Sequence, residues 1–254
     1  IFGALLVLSA LGIGVGLFLT GHAAAIPELT LKNLHPSGLA VFPLLFLTIS
    51  CGALSGFHAT QSPIISRTTQ NERDGRKIFY GMMIAEGVIA MIWAAAAMSL
   101  FYDPAVPFGT KLAEILSEGG PALVVSRVST TMLGAVGGTI AILGVIILPI
   151  TSGDTAFRSA RMIIADYFKI GQSKVANRLM IALPMFAISA VLLQMDFDLL
   201  WRYFSWANQS TAVIALFVGA MYLYLDERNY WISLLPGIFM LMATTTYILN
   251  AKIG

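Results

Sequence analysis

The chain has 254 residues, of which 57% are hydrophobic and 11% are charged. Soluble domains carry about 25% charged residues, so this composition excludes an ordinary soluble domain and indicates a polytopic membrane protein. The net charge of +2 is too small to suggest nucleic-acid binding. A single cysteine excludes an intrachain disulfide and a cysteine-based metal cluster, and three scattered histidines lack metal-ligand spacing. We therefore expect no metal and no other cofactor.

Seven segments are apolar and about as long as a transmembrane helix, which needs roughly 20 residues. Their ranges are 1–21, 38–58, 78–101, 129–151, 179–195, 206–225 and 230–250. The sequence thus predicts an all-α polytopic membrane protein in which residues 1–254 form a single transmembrane domain. Because the chain opens at Ile1 inside an apolar segment, we expect the C-terminal part of a longer protein, cut within its membrane region.

Lysine and arginine are distributed unequally between alternate loops. One side carries ten of these residues and the other carries five. The positive-inside rule therefore predicts that loops 63–77 and 158–178 are cytoplasmic and that the C-terminus is outside. Within the second loop, residues 158–170 have an amphipathic pattern, which predicts a helix on the cytoplasmic membrane surface or against the protein's own cytoplasmic face.

The second segment ends in a polar stretch, SGFHATQS, at residues 55–62. In hydrocarbon an unpaired backbone group costs several kcal/mol, so a broken helix persists only when it is buried in protein or lines a watery cavity. Glycine permits such a break, and serine, threonine and glutamine supply neutral hydrogen-bonding groups. The stretch is therefore a candidate wall of a binding site. The alternative is a plain helix end with Gly56 as the C-cap.

A second stretch, SGDTAFRS at residues 152–159, has Ser, Gly, Ala and Ser at the same four places. Both stretches end an apolar run and lead into a basic loop, so we expect both to interrupt their helices. Only one full span lies between them, which makes the two helices parallel and suggests a parallel duplication.

A third polar cluster, WANQS at residues 206–210, opens the sixth segment. Its amides are costly in a membrane unless they form internal hydrogen bonds. The alternative is N-capping by Asn208 at the outer interface, with Trp201 and Trp206 in the aromatic belt. The three stretches together supply the candidate substrate-binding residues, which are Ser55, Gly56, His58, Thr60, Gln61, Ser152, Gly153, Thr155, Asn208 and Gln209.

Three ionisable residues are candidate proton carriers. Glu86 lies about 12 Å into the third segment, where a charge costs from about 2.5 to over 10 kcal/mol. It must be protonated, paired or in contact with water, and its alternative role is a structural hydrogen bond to a neighbouring helix. Asp154 and His58 lie in the two polar stretches, where each could instead contact substrate or cap a helix.

Three motifs carry a family resemblance: FPLLFLTISCGALSGFHATQSPIISR, ILPITSGDTAFRSARMIIADYF and WANQSTA. In this order they resemble the carbon starvation protein A (CstA) family of bacterial and archaeal inner-membrane proteins, over residues 38 to 225. The resemblance implies a secondary transporter that imports pyruvate or short peptides with protons. It also implies a LeuT-like core of two five-helix repeats with broken helices at the substrate site. The expected partners are the substrate, protons, membrane lipid and the missing N-terminal part.

Two other function classes remain alternatives. An intramembrane hydrolase would use Ser55 or Ser62 with His58, but this needs a serine–histidine hydrogen bond and an orienting acid, and no G-x-S-x-G elbow is present. A channel is disfavoured because the sequence has no repeated filter and no ring-forming charge. We therefore expect a transporter and not an enzyme.

Overall fold

The structure is a computed structural model that describes residues 2–26, 33–35 and 38–250. Within these residues every regular element is helical. The α-helices are α1 (Phe2–Leu19), α2 (Leu44–Ala53), α3 (Gly56–Thr68), α4 (Met82–Leu100), α5 (Thr110–Tyr167), α6 (Val175–Leu192), α7 (Phe197–Leu225) and α8 (Trp231–Asn250). A π-helical turn, Arg76–Gly81, precedes α4.

In the part of the chain that the structure describes, five helices are long and apolar enough to cross a membrane. Their ranges are Glu72–Leu100, Thr110–Tyr167, Val175–Leu192, Leu199–Leu225 and Trp231–Asn250. Large apolar side chains are exposed along them, as Leu183, Ile188 and Val191 are on α6, and such side chains face lipid in a membrane. The chain is therefore a multi-pass membrane protein. The first predicted segment forms the shorter apolar helix Gly3–Leu19, and a total of seven spans stays a prediction.

The second predicted segment, 38–58, is not one helix. α2 has ten residues and ends at Ala53, and a new helix begins at Gly56. Within the stretch 158–170, which the sequence predicts to be an amphipathic helix, residues 158–167 are helical and form the last turns of α5. Whether these turns lie at the membrane surface stays a prediction.

The chain forms two compact units. The first comprises residues 1–40 and 81–151, and the second comprises residues 41–80 and 152–254. α5 contributes residues to both units.

The core of the first unit is formed by α1, α4 and α5. Ile13 and Leu17 of α1 pack with Ala96 of α4 and Val128 of α5, and all four side chains are buried. A Cβ atom on Gly16 would lie 3.0 Å from the carbonyl oxygen of Met132, so the backbones of α1 and α5 nearly touch. Small residues allow such an approach between membrane helices.

Two glycines interrupt α5. Gly120 has φ 64° and ψ −167°, and Gly134 has φ 71° and ψ −176°. Residues with a Cβ atom rarely adopt these dihedrals, so glycine is required at both bends. The predicted fourth span, 129–151, is therefore broken at Gly134.

The second unit is built on the hairpin of α7 and α8. The hydroxyl of Ser233 in α8 donates to the carbonyl of Leu216 in α7 over 2.7 Å, and this hydrogen bond links the two helices. α2 packs against both helices of the hairpin, and α3 packs against α7. The break between α2 and α3 thus lies on the surface of α7.

Candidate functional site

The chain breaks between α2 and α3 as the polar stretch predicts. Ser55 has an extended backbone (φ −114°, ψ 141°) and caps α3, since its Oγ accepts from the amide of Phe57 at 3.2 Å. The amide of Ser55 donates to Nδ1 of His58 over 3.3 Å. These bonds form a reciprocal capping box. Gly56 is the first residue of α3, so the alternative that it is the C-cap of the preceding helix is wrong.

Asn208 lies inside α7 and contacts this break. Its side chain is buried, its Oδ1 accepts from the amide of Phe57 at 3.1 Å, and its Nδ2 donates to Oγ of Ser55 over 2.9 Å. The Ser55 hydroxyl is also 3.1 Å from Asn208 Oδ1. We call this set of hydrogen bonds the Ser55–Asn208 clamp. Because α7 begins eleven residues earlier at Phe197, the alternative that Asn208 is an N-cap is wrong.

Gly56 allows α3 and α7 to approach closely enough to form the clamp. A Cβ atom built on Gly56 would collide with the backbone oxygen of Asn208 and would lie 2.6 Å from Cβ of Thr211. No larger residue fits at this position unless α3 moves away from α7. The glycine is therefore required by contact, since its own dihedrals are ordinary helical ones.

Gln209, the next residue of α7, reaches the other side of the break. Its side chain is fully buried, and its Nε2 lies 3.4 Å from the carbonyl oxygen of Leu47 in α2. Adjacent amides of α7 thus contact both half-helices. Buried polar groups are stable when they are hydrogen-bonded in this way, which explains a polar pair inside an apolar helix.

The hydroxyls farther along α3 bond to their own helix. Thr60 Oγ1 donates to the carbonyl of Phe57 over 2.9 Å, and Ser62 Oγ donates to the carbonyl of His58 over 2.7 Å. Gln61 is partly buried beside them. The Ser55 hydroxyl thus bonds to Asn208 and to the Phe57 amide, and the Ser62 hydroxyl bonds to a backbone carbonyl.

The second polar stretch does not break its helix. The dihedrals of α5 are helical through Ser152, Gly153 and Thr155, so the prediction of an interruption there is wrong. A glycine inside a helix costs only about 1 kcal/mol, and tertiary packing readily exceeds that. The two stretches do lie together in the second unit, where Ser159 Oγ is 3.5 Å from the carbonyl oxygen of Thr60.

The candidate proton carriers lie in different environments. The exposed carboxylate of Asp154 forms an ion pair with Arg158 at 2.7 Å, one turn along α5. His58 is partly buried in the capping box. Both belong to the second unit, whereas Glu86 belongs to the first, where it is exposed on α4. Among the described residues no group of three or more His, Cys, Asp or Glu side chains could hold a metal ion.

A cleft of about 430 Å³ lies between the last turns of α5 and the first turns of α6. Its lining residues are Asp154, Phe157, Arg158, Arg161, Arg178, Ala182, Met185 and Phe186. From the sequence, these arginines are predicted as charges of a cytoplasmic loop, with Arg158 and Arg161 on the polar side of the amphipathic stretch 158–170. The sequence does contain a signal for the α5 side of this cleft, because residues 154, 157, 158 and 161 have the spacing of a single helix face.

Comparison with known proteins gives one family and several relatives. The model of the family "Carbon starvation protein CstA" matches residues 2–109 and 110–247. The chain is 28% identical to the "Peptide transporter CstA" of Escherichia coli over 92% of this chain and 43% of that protein. It is 48% identical to the "Pyruvate/proton symporter BtsT" of the same organism over 23% of this chain and 8% of that protein.

A shorter relative covers about half of the chain. An uncharacterised protein of Haemophilus influenzae is 47% identical over 51% of this chain and 98% of its own length. In contrast, the chain spans less than half the length of the E. coli peptide transporter. No solved structure matches the chain.

Proposed function

Because the chain belongs to the carbon starvation protein CstA family, we propose that it forms part of a proton-coupled secondary transporter. The proposed substrate is a small carboxylate such as pyruvate, or a short peptide, imported across the bacterial or archaeal inner membrane. The observation that carries the proposal is the α2–α3 break, because the N-terminus of α3 is separated from α2 and its Phe57 amide is bonded to the Asn208 side chain of α7.

The clamp suggests how a carboxylate would bind. A helix N-terminus favours anions, and a hydrogen bond to a charged acceptor is roughly twice as strong as a neutral one. A substrate carboxylate can therefore replace the Asn208 oxygen at the amide of Phe57 and the hydroxyl of Ser55. In the clamp these donors are satisfied by Asn208, so they carry no desolvation penalty while the site is empty of substrate.

The other candidate substrate-binding residues are proposed to lie around the bound carboxylate. Thr60 and Gln61 follow on α3, and Gln209 is adjacent to Asn208 on α7. Ser152, Gly153 and Thr155 are proposed to line the path along α5, close to the Thr60–Ser159 contact. Pyruvate and peptides share a carboxylate, so the same exchange accommodates either substrate class.

The proton is proposed to travel on Asp154 or Glu86, with His58 as the third candidate. A proton on Asp154 would remove its charge and weaken the ion pair with Arg158. Arg158 would then be available to a different anion. Glu86, on an apolar helix, can lower the cost of its charge by taking up a proton as access to water alternates.

The proposed topology places loops 63–77 and 158–178 in the cytoplasm and the C-terminus outside, and the final residues 251–254 lie outside the described residues. In a background with Cys51→Ser, cysteines replacing Thr69 and Ser173 should resist impermeant thiol reagents added to intact cells. Labelling of either position from outside would reverse the orientation.

The proposal is tested by uptake into proteoliposomes that contain the protein. Labelled pyruvate, amino acids and short peptides are offered with and without an inward proton gradient. We expect saturable accumulation of pyruvate or a peptide above the external concentration only with the gradient. Flux that only equilibrates the substrate would indicate a channel, and release of cleaved substrate would indicate a hydrolase.

A further inference from the structure

The cleft between α5 and α6 has an excess of positive charge. Three arginines line it and one carboxylate, Asp154, is paired with Arg158 at 2.7 Å. The ion pairs recorded among the described residues include none for Arg161 or Arg178. Two guanidinium charges in the cleft are therefore not compensated by a described carboxylate.

The connecting loop holds both guanidinium groups in place. Arg161 Nη1 donates to Oε1 of Gln172 over 2.7 Å, and Arg178 Nε donates to the backbone oxygen of Gln172 over 2.8 Å. Arg178 Nη2 also donates to the backbone oxygen of Ser173 over 3.1 Å. These acceptors are neutral, and each guanidinium has further N–H donors with which to bind an anion.

The cleft also has an apolar wall, which lies beside the Asp154–Arg158 ion pair. The rings of Phe157 and Phe186 have centroids 4.8 Å apart, and Ala182 and Met185 line the same wall. Phe186 follows Arg178 by eight residues on α6, which is about 12 Å along a helix axis. α6 is a candidate membrane span, and its side of the cleft changes from Arg178 near the loop to apolar residues toward the span.

We propose that this cleft binds an anionic phospholipid such as phosphatidylglycerol. The phosphodiester lies between Arg161 and Arg178, and an acyl chain packs along Phe157 and Phe186. A volume of about 430 Å³ is within the roughly 300–1,000 Å³ of small-molecule sites, which suffices for a headgroup. Basic pockets between membrane helices bind lipid headgroups by this combination of charge and apolar contact. A small soluble anion would use the cationic end alone.

The proposal is tested by measuring lipid binding to the purified protein by native mass spectrometry. Phosphatidylglycerol is titrated against phosphatidylcholine for the protein, for the double variant Arg161→Gln/Arg178→Gln and for a control, Arg73→Gln/Arg76→Gln. The control removes the same charge from exposed positions. We expect the cleft variant to weaken phosphatidylglycerol binding by about 30-fold, since each arginine near an anionic lipid contributes roughly fivefold. The control should change it less than about twofold, because neither of its arginines lines the cleft.

A second pair of variants covers the case in which loss of Arg178 disturbs the loop. Ala182→Glu places a negative charge in the cleft, whereas Leu183→Glu places one on the exposed neighbouring position. Only the former should weaken phosphatidylglycerol binding. Equal effects of cleft and control variants would overturn the proposal. So would displacement of the lipid by millimolar inorganic phosphate or pyruvate, because that result would assign the cleft to a soluble anion.

Discussion

At the scale of single residues, the amide of Asn208 connects α7 to the start of α3. It accepts from the Phe57 amide and donates to the Ser55 hydroxyl; Asn208 and Ser55 are buried, and Phe57 is partly buried. Leaving a buried donor or acceptor unsatisfied costs about 1–3 kcal/mol. The clamp therefore contributes to stability as well as to the proposed binding site.

Replacing Asn208 by leucine should lower the free energy of unfolding by about 1–3 kcal/mol, because the Ser55 hydroxyl and the Phe57 amide each lose a hydrogen bond. Unfolding of the purified protein in detergent measures this. Ser210→Ala is the matched control, since Ser210 is two residues along α7 and its hydroxyl bonds only to the Trp206 carbonyl of its own helix. Equal stability of Asn208→Leu and Ser210→Ala would show that the clamp is not formed.

Replacing Gly56 by alanine should destabilise the protein by about 1–3 kcal/mol, because the new methyl group forces α3 away from α7. Gly153→Ala is the control, because a Cβ atom there meets no atom within 4 Å. Alanine is favoured over glycine in a helix by about 1 kcal/mol, so the control should be neutral or stabilising. Thermal unfolding in the same detergent compares the two. If Gly153→Ala is destabilised and Gly56→Ala is unchanged, then the close contact between α3 and α7 at Gly56 is contradicted.

At the scale of helices, the sequence predicted the break at Ser55 and wrongly predicted a second one at Ser152. Both stretches have serine and glycine after an apolar run, so local composition does not separate them. They differ in a distant partner, since Asn208 satisfies the backbone at the first break from 151 residues away along the chain. Such a contact has no local signal, although the polar pair in α7 did indicate that internal hydrogen bonds were needed.

The bends of α5 were also not predictable from composition, because Gly134 resembles the glycines of ordinary small-residue packing. Gly134→Ala should cost about 1–3 kcal/mol, since φ 71° with ψ −176° strains any residue that has a Cβ atom. Gly144→Ala is the control, because its Cβ would make ordinary contact with Leu6 at 3.8 Å or more. Unfolding by denaturant measures both. If Gly134→Ala is no worse than Gly144→Ala, then α5 is straight at this position.

At the scale of the whole molecule, the family and the helical membrane class followed from three motifs and from composition. The charge count predicts a topology that the fold does not test. The cleft between α5 and α6 went unpredicted because its arginines come from two helices. Sequence spacing relates residues within one helix, but it does not relate two helices across a loop.

The proposed proton coupling would be a property of the whole molecule. Asp154→Asn or Glu86→Gln should abolish gradient-driven accumulation while substrate exchange at equal pH persists, because each removes one proton site without altering size. Counterflow and gradient-driven uptake in the same vesicles separate the two steps. Asp166→Asn is the control, as an exposed carboxylate near the end of the same helix as Asp154. Full accumulation by both variants would exclude both carboxylates as the carrier.

The most direct test of the central claim is the substrate KM of Ser55→Ala against that of Ser62→Ala. If a substrate carboxylate replaces Asn208 at the α3 N-terminus, loss of the Ser55 hydroxyl removes one charge-assisted hydrogen bond, and the KM should rise by about tenfold or more. Ser62 bonds to the His58 carbonyl, so its loss should leave the KM within about twofold of the original. An unchanged KM in Ser55→Ala, or an equal rise in both variants, would contradict substrate binding at the break between α2 and α3.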